Sequence, residues 1–600
     1  MLAAVVAVAM TFALLACTPR ADTGENVAQN FLDALSKFEV EQAAKTADRP
    51  SAAETDIQAA VSGLQAQGFV GHLGEVTSDG TQSTIVTEMQ WQLPNDRVWQ
   101  YETKLLLTKT DGAWALRWAP NLLHPQLGNN QHPELRSVAA PRASVVGSDG
   151  ATLLEPGMVH RVVLDRSAVT NVQSSINRIA TIVNNELDPD TLDARAAGKA
   201  ASAGSGPYSV LVLPGSTPDQ VKERLASIDG VTVNDEAAMV RPDAGFAPDL
   251  MSRLESAIDD TNVGVDGWQV VAANPNGAVV KVLYTVAPQV QPAIRASISK
   301  KVQDAAQQAV DSRSDAQAMI VAIAPSTGDI LAVAQTAEAD KQGDLALSGQ
   351  FPPGSTFKII TAAAGVNRLG LNADSVVPCP GTMEIGTRIV TNYNGQGGGN
   401  TSLDSAFARS CNTTFGDIAY QLEEGQLQQE AAQFGIGVDY HVAGLSTITG
   451  SVSKGEDPAE KVDAGYGQGY DLTSPFGMAL ASATVARGVT PTPRLIHTSG
   501  TVQDQVSQPL DEHTLAELRR MMRSVVTSGT ATGISSRGEI YAKTGEAEVA
   551  GGSHSWFTGY RDDIAFATLI VHGGGSEHAI AITDAFFANL DAVASLEPQP

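Results

Sequence analysis

The sequence predicts a multidomain protein of the α+β class, whose C-terminal domain is an antiparallel sheet flanked by helices. Three observations predict it. The chain has 600 residues, more than one hydrophobic core fills, so roughly three or four domains are expected. Beyond its apolar N-terminus, helical periodicity comes first and alternating strands follow, the order of a small α+β domain. The C-terminal region has strand-like runs at both of its ends and helices between them, which implies one sheet assembled from both termini.

Composition bounds the function before any motif is read. Hydrophobic residues make up 43% and charged residues 18%, ordinary values for globular protein. The formal net charge of −27 argues against nucleic acid, whose phosphates repel such a surface, and is read here as a solubility feature. The ten histidines are scattered, with no HExxH and no CxxC, so no metal site is expected. Gly465, Gly467 and Gly469 have no βαβ unit around them and read as a tight turn near the cleft rather than a nucleotide loop. No cofactor is expected.

The elements follow in order. Residues 1–16, MLAAVVAVAMTFALLA, are apolar and uncharged, short for a membrane span and suited to an export signal. Leu14-Leu15-Ala16-Cys17 is similar to a bacterial lipobox, which makes Cys17 the lipidated new N-terminus, although a basic n-region is missing. A plain signal peptide that contains Cys17 is the alternative. The rest is expected on the outer face of the cytoplasmic membrane, tethered to it by the lipid. Export makes a disulfide between Cys379 and Cys411 possible; two buried thiols fit equally well.

Residues 17–135 read as a cone-like α+β domain. AQNFLDALSKF and IQAAVSGLQAQGF carry helical periodicity, and TIVTEMQWQL and VWQYETKLLLT alternate as half-buried strands. Asp111-Gly112 then marks a hairpin into AWALRWA. The Trp and Tyr residues of this stretch are expected to pack a core rather than line a ligand cavity.

Residues 136–310 open with PRASVV and a Ser148-Asp149-Gly150 turn. SVLVLPG and GAVVKVLYTV read as strands, PDQVKERLASI as a helix, and AAGKAASAGSG as a small-residue loop or linker. APQVQPAIRASISKKVQDAAQQAV reads as one long amphipathic helix. Residues 311–600 begin with a hairpin, AMIVAIAPSTGDILAVAQ, and end with strands IYAKTG, WFTGY and IAFATLIVHG before a closing helix.

The chemistry lies in the last region. A serine attacks a carbonyl only when a neighbour takes its proton. In FPPGSTFKIITAAA, Pro353-Gly354 set up a helix start, Ser355 falls in its first turn, and Lys358 lies on the same face. A lysine packed there is neutral part of the time and acts as a base. Ser-x-x-Lys alone is weak: Ser297–Lys300 and Ser451–Lys454 match it too, and Ser175-Ile176-Asn177 matches Ser410-Cys411-Asn412. Lys543-Thr544-Gly545 occurs once. Specificity comes from the order of Ser355, Ser410 and Lys543, each in its expected local structure. His554 reads as a structural hydrogen bonder, and Cys411 as a small buried filler.

With these motifs the chain resembles a class B penicillin-binding protein, through GQFPPGSTFK, RSCNTTF, GYGQGYDLTSPFGMALASA, VVTSGTATG, KTGEAE and HSWFTGY. The first two regions resemble the MecA-like subfamily: a nuclear-transport-factor-like domain ending at WAPNLLHPQL, then a penicillin-binding dimerisation domain starting at PRASVVGSDG. The resemblance implies a serine β-lactamase/transpeptidase-like C-terminal fold and a D,D-transpeptidase that cross-links stem peptides ending in D-Ala-D-Ala. β-Lactams would be covalent inhibitors and other cell-wall synthesis proteins possible partners. It implies that Ser355 is acylated, Lys358 is its base, Ser410 relays protons and Asn412 binds the acyl side. Lys543 would supply positive charge, Thr544 would hold the terminal carboxylate, and the amides of Ser355 and Glu546 would form the oxyanion hole beside Gly545. Glu546 departs from the family's usual threonine and implies slower β-lactam acylation.

Two other readings stay open. A β-lactamase or D,D-carboxypeptidase would pass the acyl group to water, but a β-lactamase needs a deacylating base, and Glu424-Gly425-Gln426-Leu427-Gln428 comes too soon after Asn412 to supply one. A catalytically silent penicillin sensor would leave Ser355 unlabelled.

Overall fold

The computed structural model describes residues 22–258 and 264–596; the signal segment and Cys17 lie outside the described residues. The chain forms two compact units. One is the sequence up to Pro141 together with Val263–Gln291, and the other is Arg142–Asn262 together with Pro292–Pro600.

In the first unit, helices Glu25–Ser36, Val40–Ala44 and Pro50–Leu64 accompany a four-stranded antiparallel sheet. Asp111 and Gly112, at φ 52° and 83°, turn the hairpin between its last two strands. Trp91, Trp99 and Trp118 are fully buried with Phe31, Leu35 and Ile57, which is core packing as expected. Two of the three indole N–H groups are satisfied within it: Trp91 Nε1 donates to the Tyr101 hydroxyl at 3.0 Å and Trp118 Nε1 to Asp56 Oδ2 at 2.9 Å. A second sheet has Gly267–Ala273 at its centre, paired with His132–Val138 on one side and Val279–Val286 on the other. Trp268, Val270 and Ala272 belong to the same core, so burial ties this distant hairpin to the first unit although the sequence reading set it within 136–310.

In the second unit, strand Thr152–Asp165 pairs with Pro207–Pro214 and Val231–Val240. The stretch expected as a linker is helical over Ala194–Ser202, because alanine favours helix and the Asp193 carboxylate caps it by accepting from the amides of Arg195 and Ala196. The long helix expected from residue 287 is confined to α1, Lys300–Asp311. Pro288 and Pro292 exclude helix upstream, and Ser299 caps the start by accepting from the Val302 amide.

The chemistry-bearing part then runs through β1 (Ala318–Ile323), β2 (Ile330–Gln335), α2 (Lys358–Leu369), α3 (Asn412–Gln421), α4 (Pro475–Arg487), α5 (Glu512–Thr527), β3 (Ile540–Val549), β4 (Gly552–Arg561), β5 (Ile564–Ile570) and α6 (Glu577–Leu596). The strands form one sheet in the order β2-β1-β5-β4-β3, antiparallel throughout, joined from both ends of the region. Helix α4 packs on β1 and β5, and α1 and α6 pack against strands of the same sheet. Helix α2 is buried from Lys358 to Val366, so its first residue carries an amine into the interior. Strand β3 ends the sheet, and among the described residues no strand pairs with its outer edge.

Candidate active site

Pro352-Pro353 lead into a 3-10 turn, Gly354–Phe357, from which α2 continues. Gly354 has φ +52°, and a Cβ on it would stand 2.6 Å from the carbonyl oxygen of Glu546 on β3. Gly467 has φ +72°, and a Cβ there would meet the Gly354 carbonyl oxygen at 2.1 Å. Only glycine fits at either place. The Gly354 amide donates to the Gly467 carbonyl at 2.9 Å, and Trp556 Nε1 on β4 donates to the Pro352 carbonyl at 2.9 Å. Ser355 is thereby clamped between the edge strand and the 465–469 loop, the tight turn the glycines suggested.

Lys358 Nζ lies 2.9 Å from Ser355 Oγ, 2.7 Å from the Ser410 carbonyl oxygen, 3.3 Å from Ser410 Oγ and 2.6 Å from Asn412 Oδ1. Burial, and then the neighbouring Lys543 charge, pushes its pKa well below the ordinary lysine value. A neutral amine has two N–H groups and one lone pair. The two carbonyl-type oxygens of Ser410 and Asn412 take the two donors, which leaves the lone pair for the hydroxyl of Ser355. The arrangement matches an amine ready to accept that proton.

Ser410 follows helix Leu403–Ala408 with φ +62°, a left-handed conformation unusual for serine. Its Oγ lies between the two lysines, since Lys543 Nζ donates to it at 2.9 Å. Lys543 is fully buried on β3, and burial brings its pKa down to about 7. One residue on, Thr544 Oγ1 is 2.5 Å from Thr530 Oγ1. Thr544 and Glu546 alternate two positions apart on β3 and so share a face. Glu546 is half-buried, and Ser553 Oγ donates to its Oε1 at 2.7 Å. A Cβ at Gly545 would meet the Thr356 methyl at 2.8 Å, which keeps β3 close to the serine turn.

The start of α3 is held from outside. Its N-cap residue, Cys411, makes no capping hydrogen bond; it is buried, and of the two states left open by the sequence it is in the disulfide, bonded to Cys379. Asn392 Oδ1 accepts from the Thr413 amide at 3.0 Å, while its Nδ2 donates to the carbonyls of Pro380 and Gln396, each at 2.9 Å. Asn412 Nδ2 donates to the Thr391 carbonyl at 3.3 Å, which turns Oδ1 toward Lys358.

The sequence-predicted residues Ser355, Lys358, Ser410, Asn412 and Lys543 thus meet in one hydrogen-bonded cluster, with Thr544, Gly545 and Glu546 beside it on β3. The look-alike motifs fall elsewhere. Ser297 Oγ donates to the Ile330 and Arg494 carbonyls, and Lys300 pairs with Asp304 and Asp243. Ser175 is buried in helix Val172–Glu186. His554 Nδ1 accepts from the His572 amide at 3.1 Å and packs edge-on to Phe351, a structural part. Among the described residues no group of three or more His, Cys, Asp or Glu side chains is placed to hold a metal. Thr530 and Asn392 were not found by sequence reasoning: the first lay unweighed within VVTSGTATG, and nothing in the sequence signals the second.

Residues 318–590 match the penicillin binding protein transpeptidase domain, and residues 23–131 match the NTF2-like N-terminal transpeptidase domain. The chain is 27% identical over 328 residues to the peptidoglycan D,D-transpeptidase PbpA of Mycolicibacterium smegmatis, covering 46% of this chain and 67% of that one. It is 27% identical over 306 residues to PbpA of Mycobacterium tuberculosis, covering 42% and 62%. The fold is similar to a complex between penicillin-binding protein PBP2 and MreC from Helicobacter pylori, with TM-score 0.58 and 17% identity over 77% of this chain and 100% of that one.

Proposed function

Because the chain belongs to the class B penicillin-binding proteins, with the NTF2-like domain at its N-terminal end, we propose that it is a peptidoglycan D,D-transpeptidase working through a Ser355 acyl-enzyme. The observation that carries this reading is the Lys358 amine, desolvated and 2.9 Å from the Ser355 hydroxyl, with its two N–H groups matched to fixed acceptors.

Ser355 Oγ attacks the carbonyl of the penultimate D-Ala of a stem peptide while Lys358 takes its proton. Ser410, bridging the two lysines, passes a proton to the leaving D-Ala amine. Lys543 in its charged form and the Thr544–Thr530 hydroxyl pair hold the terminal carboxylate. Asn412 orients the acyl side. The backbone amides of Ser355 and Glu546 stabilise the oxyanion, a role supported by the close approach of Gly354 to the Glu546 peptide. An amine from a second stem peptide then resolves the ester. β-Lactams enter the same path and stop at the ester, because their leaving group stays attached.

The remaining features are part of the same proposal. Cys17 carries a lipid that holds the chain at the outer face of the membrane, and no helix among the described residues is long and apolar enough to cross one. The part of residues 136–310 outside the first unit, 142–262 with 292–310, supplies the dimerisation-type segment. Partners are cell-wall synthesis proteins; the PBP2 of Helicobacter pylori is seen in complex with MreC.

The test is mass spectrometry after treatment with benzylpenicillin. The expected result is one stoichiometric adduct on the peptide containing Ser355, absent from Ser355→Ala and persisting for many minutes. Fast release of hydrolysed drug would favour a β-lactamase, and no adduct would favour a silent sensor.

A further inference from the structure

Two segments far apart in sequence hold the groups around Ser355, and one ion pair ties them together. The first is a hairpin, Thr382–Ile385 paired with Arg388–Thr391. Its last residue gives the carbonyl that accepts from Asn412 Nδ2 at 3.3 Å, and the next residue, Asn392, accepts the Thr413 amide hydrogen. The second is helix Pro458–Ala464 with the turn that follows it. In that turn the Gly467 carbonyl accepts from the Gly354 amide at 2.9 Å, and the Gly465 carbonyl accepts from Thr361 Oγ1 on α2 at 2.8 Å. The hairpin therefore holds the Asn412 side of the cluster, and the turn holds the Ser355 side.

Asp463 joins the two. Its carbonyl accepts from the amides of Tyr466 and Gln468, at 3.2 and 3.0 Å, which shapes the turn. Its carboxylate is bound by the hairpin: Arg388 Nε donates to Oδ1 at 2.9 Å, and Nη2 lies 2.8 Å from Oδ2. The Tyr466 hydroxyl donates to the same Oδ1 at 2.5 Å and draws the turn onto the pair. Other contact between the segments is slight, a cluster of Ile385, Val390 and Val462. Helix α3 meets both at Gly416, where a Cβ would stand 3.1 Å from Val462 and 3.3 Å from Ile385. Smooth apolar contacts of this size set spacing, whereas a two-pronged guanidinium–carboxylate contact also fixes angle. The Arg388 side chain is 49% exposed and that of Asp463 13%, and a pair open to water on one side adds little to stability. Its contribution is geometric.

We infer that the Arg388–Asp463 pair sets Asn412 and Ser355 relative to one another, and that Arg388 is a positioning residue for acylation, acting through the hairpin and the turn. Without the pair the two segments shift independently, and misplacement by a fraction of an ångström slows attack on a bound carbonyl by about tenfold. The inference rests on the acyl-enzyme reading of Ser355.

The experiment measures the first-order rate of Ser355 acylation at saturating benzylpenicillin, with a thermal melt of every variant. Failure of the wild-type protein to form the adduct overturns the transpeptidase reading itself and is seen before any variant is made. Arg388→Met is expected to slow acylation about tenfold while melting within about 3 °C of wild type. Arg388→Gln has the same charge as the methionine variant but places an N–H donor where Nε stood, and is expected to recover about threefold of the loss. Asp463→Asn is expected to be slow as well, and Arg388→Met combined with Asp463→Asn no slower than Arg388→Met alone, because there is only one contact to lose. That double variant carries the wild-type net charge, so a wild-type rate in it would show that Arg388 acts as a distant charge and would overturn the inference. An unchanged rate in Arg388→Met overturns it too. So does a slow rate accompanied by a melting temperature lowered clearly beyond that range, the mark of a merely structural role. If Asp463→Asn does not fold, the two Arg388 variants decide, and equal rates in Arg388→Gln and Arg388→Met overturn the inference.

Discussion

Asn392 caps a helix it does not belong to: its Oδ1 accepts the Thr413 amide hydrogen at 3.0 Å, at the start of α3, where Cys411 makes no cap. The same side chain donates to Pro380 and Gln396, so one buried amide joins the loop before α3 to the turn that carries Ser410 and Asn412. Asn392→Ala is expected to leave a buried amide N–H and two carbonyls unpaired, at about 1–3 kcal/mol of stability. Loss of position at Asn412 is expected to slow acylation by a fluorescent penicillin ~10- to 100-fold. A wild-type acylation rate in a variant that is measurably less stable would limit Asn392 to a structural role.

The Cys379–Cys411 bond closes a loop of 32 residues beside the same turn. Chain entropy assigns such a loop about 3–4 kcal/mol. Two hydroxyls brace the turn independently: Thr413 Oγ1 donates to the Pro380 carbonyl at 3.0 Å and Thr414 Oγ1 to the Pro378 carbonyl at 2.6 Å. Cys379→Ser with Cys411→Ser is therefore expected to lower the melting temperature by several degrees while acylation falls less than about tenfold. A collapse of acylation with unchanged melting temperature would show that the disulfide positions Ser410 rather than stabilising the fold.

What could be read in the sequence was what is local or ordered along it. The hairpin at Asp111-Gly112, the sheet joined from both termini, and the three motifs at Ser355, Ser410 and Lys543 all have signals within a few residues. Long-range choices were not legible. Gly267–Ala273 lies in the first unit because Trp268 and Val270 complete that core, and no local pattern announces which core a strand completes. Pro288 and Pro292 interrupt an amphipathic pattern that otherwise reads as continuous helix. Asn392 acts through a hydrogen bond spanning 21 positions, and a lone asparagine looks the same in sequence whether it caps a helix or faces water.

Glu546→Thr removes a negative charge from the strand face that also presents Thr544. Acylation by benzylpenicillin, which brings a carboxylate to that face, is expected to speed up roughly five- to tenfold at low salt. The gain is expected to narrow as salt rises. Second-order acylation rates for wild type and variant at two ionic strengths decide it. An unchanged rate would mean that the Ser553 hydrogen bond already removes Glu546 from the ligand's field.

The two buried lysines give opposite limbs to the pH profile. Acylation needs Lys358 neutral, so the rate rises with pH through the depressed pKa of that amine. It also needs Lys543 charged, and burial puts that pKa at about 7, so the second-order rate on free enzyme falls above neutrality. Because the amines repel each other, the two apparent values belong to the pair. Lys543→Arg keeps a positive charge at every pH used and is expected to abolish the alkaline limb while leaving the acid limb in place. Stability runs the other way. Between about pH 7 and the ordinary lysine value of 10.5 the unfolded chain binds more protons than the native one at position 543, so that contribution grows as pH rises. Thermal melts of wild type against Lys543→Met across pH 7–10 should therefore show the wild type gaining on the variant while its acylation declines. A gap that stays constant across that range would mean that Lys543 remains charged in the folded protein, and the alkaline limb would then need another source.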